Sequence, residues 1–315
     1  MNLIASPSRS SGLEKDGDTL KDFKVQEDYR EFIQGKLDNY LKDYPFEGDD
    51  SSKAIEEDRK REVQQNLLIL FRKLREGISS SARKDDFALE VYETSLVLAI
   101  LFSTPLQATT TLSYLLPGLY YTSSSETLKQ SGRLLVTLIS LLHHMVAAHP
   151  SQRTFHQHLS SIPPAFLPRG SDSYRWITSV ASSIRTNNYA RFEILTRSRP
   201  EDASTPSPEP ETQSSVRQLD LGLADRAIVT LLDSLRVKAR ARTWLILRTA
   251  YRELWCEPGY DTSQWLERTL ALRSVRHPGG DAADACAWLE DREKEGDARK
   301  KDGTDIGWVL VKPKQ

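Results

Sequence analysis

Apolar residues recur along most of this chain at the spacing of an amphipathic helix. From Thr19 to Tyr44 the residues Phe23, Tyr29, Phe32, Ile33, Leu37, Tyr40 and Leu41 fall near one side, and Pro45 closes the run. Ala54 to Glu76 puts Val63, Leu67, Leu70, Phe71 and Leu74 on one face, with Gly77 as the expected stop. The segment SSSARKDD then reads as a linker. From Thr94 to Ser125 there is no charged residue, so this stretch must be buried, in protein or in lipid. Its purely apolar part, Leu96 to Phe102, is seven residues long, and the remainder is interrupted by Ser103, Thr104, Gln107 and Thr109 to Thr111. A spanning helix needs about 20 predominantly apolar residues, so the pattern predicts two antiparallel core helices rather than a membrane span. These are Phe87 to Phe102 and Pro105 to Leu116, with Thr104 as N-cap, Pro105 at the first helical position and Pro117-Gly118 as the end.

Further helices are expected at Ser125 to His149, Ser151 to Leu159 and Ser173 to Leu195, an array in which each pair needs its neighbour to cover it. RSRPEDASTPSPEPETQSS, Arg197 to Ser215, is rich in Pro, Ser and Glu and reads as a mobile linker. Beyond it, Ile228, Leu231, Leu232 and Leu235 form the buried stripe of a helix that continues toward Trp255. Short helices at Thr262 to Leu272 and Asp281 to Glu290, a turn at Asp302-Gly303 and a strand at Trp308 to Val311 complete the chain. The division expected is a disordered tail over 1–18, a helical-repeat domain over 19–196, a linker or insertion over 197–220 and a small module over 221–315. The fold class is mainly α.

Charge sharpens the picture only locally. The 43 Lys and Arg balance 44 Asp and Glu, so net attraction to nucleic acid is absent and any such contact must be a patch. Residues 221–255 carry seven Arg and Lys against three Asp and Glu, and Arg236, Lys238, Arg240 and Arg242 point to several sides of one helix. Either the helix breaks near Ala239 to Ala241, or some of these cations lie against a partner or an acidic neighbour. They are the candidate phosphate contacts, with Lys300 and Lys301 added from the C-terminal module and Lys294 and Arg299 beside them. Solvated helix charges paired at i,i+4 remain the alternative. Two cysteines, Cys256 and Cys286, make neither a disulfide framework nor a zinc set, and MNLIASPSRSS lacks the pattern of a signal peptide. An intracellular, soluble protein is expected.

Chemistry is sparse. His143, His144, His149, His156 and His158 cluster in sequence, but no Cys is near and no acidic residue lies between Glu126 and Asp172, so no metal site is assigned. GxSxG, HExxH and GxxxxGK[ST] are absent. Cys256 has no His beside it and reads as structural, at a helix end. Trp244, Trp255, Trp265 and Trp288 read as core in preference to base-stacking platforms. No catalytic residue and no cofactor is assigned.

Four segments in order carry a resemblance. They are FALEVYETSLVLAILFSTPLQATTTLSYLLPGLY at Phe87 to Tyr120, NNYARFEIL at Asn187 to Leu195, LRVKARARTWLILRTAYREL around Arg236 to Tyr251, and Trp265-Leu266 with the closing strand. Together they resemble the Sac-three/GANP domain family of the PCI-like group, over about Glu57 to Pro313. The resemblance implies a right-handed array of helix pairs followed by a winged-helix module with a small β-hairpin. It also implies a nuclear scaffold that pairs through that module, here Trp308, Val309 and Leu310, with a PCI-type protein and a small acidic peptide in transcription-coupled mRNA processing and export. RNA or DNA would be touched by the cations already named; no membrane is involved. The Pro-rich stretch at 197–215 and the lack of a preceding Cys-containing segment depart from the family pattern. A proteasome-lid, signalosome or initiation-factor subunit, cytoplasmic in place of nuclear, and a hydrolase or metal enzyme hidden in the His-rich region remain open as alternatives.

Overall fold

The structure, a computed structural model, describes residues 19–45, 54–120, 130–198, 200, 219–275 and 284–313. The tail over 1–18, most of the 197–220 stretch and the first residues of the helices expected from Ser125 and from Asp281 lie outside them. The protein is mainly helical, with a small antiparallel three-stranded sheet. No described helix is long and apolar enough to cross a membrane. The chain divides into two compact units, one within Met1–Lys129 and Pro208–Leu223, the other within Gln130–Ser207 and Ala224–Gln315.

In the first unit a short 3₁₀ turn at Thr19–Lys21 leads into α1 (Phe23–Asp43), followed by α2 (Ala54–Ser80), α3 (Asp86–Leu101) and α4 (Pro105–Tyr114). Consecutive helices pack on one another. Asp22 caps α1 by accepting from Lys24 N and Val25 N, and Asp85 caps α3 through Ala88 N. Every residue of α3 from Ala88 to Ile100 is buried, as the uncharged run requires. Of its two buried carboxylates, Glu93 accepts from the Tyr120 hydroxyl, and Glu90 is met by Arg30, whose Nη2 and Nε lie 2.6 and 3.1 Å from it. Helix α4 differs from expectation: it buries Ala108, Thr111 and Leu112, while Leu106, Thr109, Thr110, Ser113 and Tyr114 are exposed. Its threonines close onto carbonyls one turn back, Thr109 on Pro105 and Thr110 on Leu106, so uncharged residues here satisfy themselves at a surface. Gly77 is not a stop. It lies inside α2 where a Cβ would sit 2.6 Å from the Leu20 carbonyl oxygen, so its role is close approach.

The second unit contains α5 (Gln130–Ala148), α6 (Arg153–Ser161), α7 (Asp172–Arg185), α8 (Tyr189–Arg197), α9 (Leu221–Ala250, from Ala224 onward), β1 (Glu253–Trp255), α10 (Asp261–Thr269), α11 (Ala285–Lys294), β2 (Ala298–Lys300) and β3 (Gly307–Leu310). The helix expected from Ser173 to Leu195 is two helices. Asn187, at φ +54°, ends α7: its N–H bonds Ile184 O and the Asn188 N–H bonds Ser183 O. The same pair of bonds closes α2 at Ala82, α3 at Ser103 and α10 at Ala271, each with positive φ and none a glycine.

Helix α9 runs unbroken through Ala239 to Ala241 and stops at Ala250, short of Trp255. Glu253–Trp255 is a strand, so Cys256 follows a strand and not a helix. The sheet order is β1-β3-β2, both pairings antiparallel, with Leu254 opposite Trp308 and Ala298 opposite Leu310. These inward residues, with Trp244, Leu247, Cys256, Leu266, Leu270, Leu272, Ala285 and Leu289, make one core. Trp244 sits edge-on to Trp288 at 4.7 Å and donates to Asp297 Oδ2. Trp255, by contrast, is half exposed.

Candidate anion-binding cleft and the cations of the long helix

The four basic residues of α9 sort into two pairs by helical geometry. Residues four apart lie on one face, whereas residues two apart lie about 200° apart, so Arg236 and Arg240 share one side and Lys238 and Arg242 the other. The four candidate phosphate contacts therefore do not share one surface. Arg236 is 1% exposed. Its Nη1 donates to Thr196 Oγ1 on α8, its Nη2 donates to Arg273 O at 2.8 Å, and the same nitrogen lies 3.7 Å from Glu193. Burial pulls the Arg236 pKa down and the Glu193 carboxylate pulls it back up. Arg240 donates through Nε to Leu270 O at 2.9 Å and through Nη2 to Ala271 O at 2.7 Å. Arg240 thus binds carbonyls at the C-terminal end of α10, where a helix carries partial negative charge, and Arg236 binds the Arg273 carbonyl in the loop that follows. One turn on from Trp244, Arg248 continues the stripe: its Nε donates to Val311 O and its Nη1 pairs with Asp297 at 2.6 Å.

Lys294, Lys300 and Lys301 of the C-terminal module are paired rather than free. Lys300 lies 3.4 Å from Glu290 and 5.4 Å from the Trp308 ring centroid, and Lys301 lies 2.6 Å from Glu253 and 5.1 Å from the Trp255 ring. The Lys301 bond holds the Glu253 carboxyl below its ordinary range. Lys294 pairs with Asp291 at 2.8 Å, and Arg299 is exposed. The partner surface expected at Trp308, Val309 and Leu310 is also displaced. β3 is the central strand, so its backbone is paired on both sides, and Trp308 and Leu310 are buried at 2% and 5% exposure. Val309 alone of the three is half-buried.

On the other side of α9, Lys238 donates to Val146 O near the C-terminal end of α5. Arg242 faces a cleft of about 300 Å³ lined also by Pro150, Gln152, Arg153, His156, Ile184, Arg185 and Asn187. Folding brings these residues from α6, the α7 terminus and α9 into one concavity. Gln152, the N-cap of α6, is tied to α7 through Nε2 on Ala181 O at 2.6 Å. Asn187 reaches the rim because it is the left-handed residue that ends α7. The side chains of Arg153, Arg185 and Arg242 are exposed and have no hydrogen-bond or ion-pair partner among the described residues, and no carboxylate lines the cleft. The field there is felt by His149, whose pKa is lowered first by burial and then by Lys238 and Arg242. Sequence reading missed Arg153 and Arg185, since isolated arginines 32 positions apart carry no local signal.

His143, His144 and His158 of the His-rich region pack instead on one another. His144 and His158 rings lie 4.5 Å apart, His158 Nε2 is 2.9 Å from Ser140 Oγ, and burial pushes His143 and His158 down to about 4. They are neutral rings at neutral pH. No group of three or more His, Cys, Asp and Glu arranged to hold a metal occurs among the described residues. Cys256 and Cys286 are free thiols with Sγ atoms 3.6 Å apart, and burial pushes Cys256 up to about 12, away from the thiolate a nucleophile needs. No protein-family model matches this chain, and no curated protein matches it.

Proposed function

We propose that this protein is a non-enzymatic scaffold subunit of the Sac-three/GANP kind: an array of helix pairs leading through α9 into a winged-helix module, acting in the nucleus in transcription-coupled mRNA processing and export. The observation that carries this reading is the element order α9-β1-α10-α11-β2-β3 with sheet order β1-β3-β2. A winged helix has that succession of helix, strand, two helices and a two-strand wing, and the wing here is the hairpin from β2 to β3. A long helix whose i,i+4 arginines clamp the module is what a rigid support requires, because the guanidinium bonds leave little freedom between α9 and α10.

In this reading the subunit pairs with a PCI-type protein and a small acidic peptide, and touches RNA or DNA through cations that the fold leaves unpaired. Partner contact falls to residues the module exposes, Tyr251, Trp255 and Tyr260, in place of the buried Trp308 and Leu310. The last helix of the module, α11, is unsuited to a nucleic-acid groove, since Glu290, Asp291 and Glu293 accompany its Arg292 and Lys294. Affinity capture of the tagged full chain from nuclear extract, with identification of co-purifying proteins, tests the reading. A stoichiometric PCI-type partner with mRNA-export components is expected. Recovery of proteasome-lid, signalosome or initiation-factor subunits would reassign the complex, and recovery of the chain alone would contradict the scaffold role.

A further inference from the structure

We propose that the cleft formed by Arg153, Arg185 and Arg242 is a phosphate-binding site. It deepens the nucleic-acid part of the proposed function, and rests on that reading only for the polymer that supplies the phosphate.

Arg175 pairs with Asp172, Arg197 with Glu193, Arg248 with Asp297 and Arg292 with Glu295. Exposed arginines without a partner among the described residues also occur singly in this unit, as at Arg191 and Arg299; Arg153, Arg185 and Arg242 differ in lining one concavity that holds no carboxylate. Like charges gathered in a partly enclosed space repel and hold the local potential positive, which favours an anion entering it. The rim adds neutral polar groups, Asn187 and Gln152, and the imidazole of His156, while Ile184 and Pro150 supply an apolar floor.

The kind of anion follows from number and shape. One guanidinium satisfies one carboxylate through two parallel bonds, so a single carboxylate leaves two of the three arginines unused. A phosphate group presents oxygens in several directions and can accept from all three at once. Cleft volume is at the low end for small-ligand sites, which run from about 300 to 1,000 Å³, so it takes one phosphate group with its adjoining sugar and not the face of a duplex. Two sources share this chemistry: a backbone phosphate of single-stranded RNA, and a free phosphorylated ligand.

The experiment uses the full chain, wild type and the triple variant Arg153→Gln/Arg185→Gln/Arg242→Gln, each checked by circular dichroism. Binding of fluorescein-labelled decauridylate is followed by anisotropy across a salt series, and binding of sodium pyrophosphate by calorimetry. For single strands each lost contact removes about 0.7 from the slope of log affinity against log salt, so three remove about 2 and weaken binding about a hundredfold at 0.1 M salt. That loss, with pyrophosphate competing against RNA on the wild type, is the expected result. Pyrophosphate binding that the variant loses, without RNA binding by either protein, supports the cleft and contradicts the nucleic-acid reading. RNA binding equal in affinity and slope for both proteins overturns the cleft and leaves that reading standing. Failure of the wild type to bind either probe overturns both.

Discussion

Replacing Arg236 by Met separates a structural from a phosphate-contacting role at the centre of α9. The guanidinium is 1% exposed and serves Thr196 Oγ1, the Arg273 carbonyl and the Glu193 carboxylate together. Met fills much of the space but returns none of these bonds. The Arg273 carbonyl loses its donor, and Glu193, at 4% side-chain exposure, is left with Arg197 alone. Breaking a buried pair by removing one partner costs about 3–5 kcal/mol. Because Arg197 remains and is 39% exposed, the lower end of that range, about 3 kcal/mol, is expected. For a unit of this size each kcal/mol moves Tm by about 2–4 °C, so a fall of about 6–12 °C should be seen in a thermal melt. Urea titration of wild type, Arg236→Met, Glu193→Gln and the double variant then forms a cycle. A coupling of about 1–3 kcal/mol is predicted, since Glu193→Gln removes the charge that Arg236 compensates. A single variant within about 0.5 kcal/mol of wild type, or purely additive effects, would refute the reasoning. So would weakened RNA binding at unchanged stability.

Three other perturbations have definite expected outcomes. Ala271→Gly should raise stability by about 0.5–1 kcal/mol, because a left-handed non-glycine residue costs about 1–2 kcal/mol and glycine returns about 0.4–1 to the unfolded chain; an unchanged or lowered urea midpoint would contradict this. Gly77→Ala gains about 1 kcal/mol of helix propensity yet should destabilise by about 1–3 kcal/mol, since its Cβ meets the Leu20 carbonyl at 2.6 Å; a neutral melt would show that the contact is slack. His143 and His158 titrate near 4 when folded against an ordinary 6.5, so above about 6.5 both states are neutral, and as pH falls toward 4 only the unfolded chain takes up protons and stability is lost. Urea midpoints at pH 7 and pH 5 should therefore differ less in His143→Leu than in the wild type, and an equal difference would remove His143 from the cause.

What the sequence made legible was whatever depends on local period. The buried α3, the stripe at Ile228, Leu231, Leu232 and Leu235, the Thr104-Pro105 start of α4 and the closing strand were all expected and are all present. Helix ends were less readable because four of them use Ala82, Ser103, Asn187 and Ala271 in the left-handed conformation where glycine is the usual signal. That is why α7 and α8 looked like one helix and why Gly77 looked like a stop. β1 was hidden because Glu253–Trp255 continues the apolar period of α9 and gains its strand partner only from β3, more than 50 residues away. The basic residues were expected to point to several sides of one helix, as their spacing into two i,i+4 pairs requires, but which of them the fold consumes was not legible. Which pair is spent inside depends on the α10 carbonyls, a tertiary fact. The Arg153, Arg185 and Arg242 cleft had no sequence signal, since three separate elements build it.

In the proposed function, folding consumes Arg236 and Arg240 and leaves Arg153, Arg185 and Arg242 to meet phosphate. Arginine Nε–H resonances of the ¹⁵N-labelled full chain, followed during titration with decauridylate, test it most directly. The signals of Arg153, Arg185 and Arg242 are expected to shift together and saturate with one affinity, while those of Arg236 and Arg240 stay in place, protected from solvent exchange throughout. Shifts confined to Arg236 and Arg240, or no selective shift in the cleft arginines while RNA is bound, would contradict it.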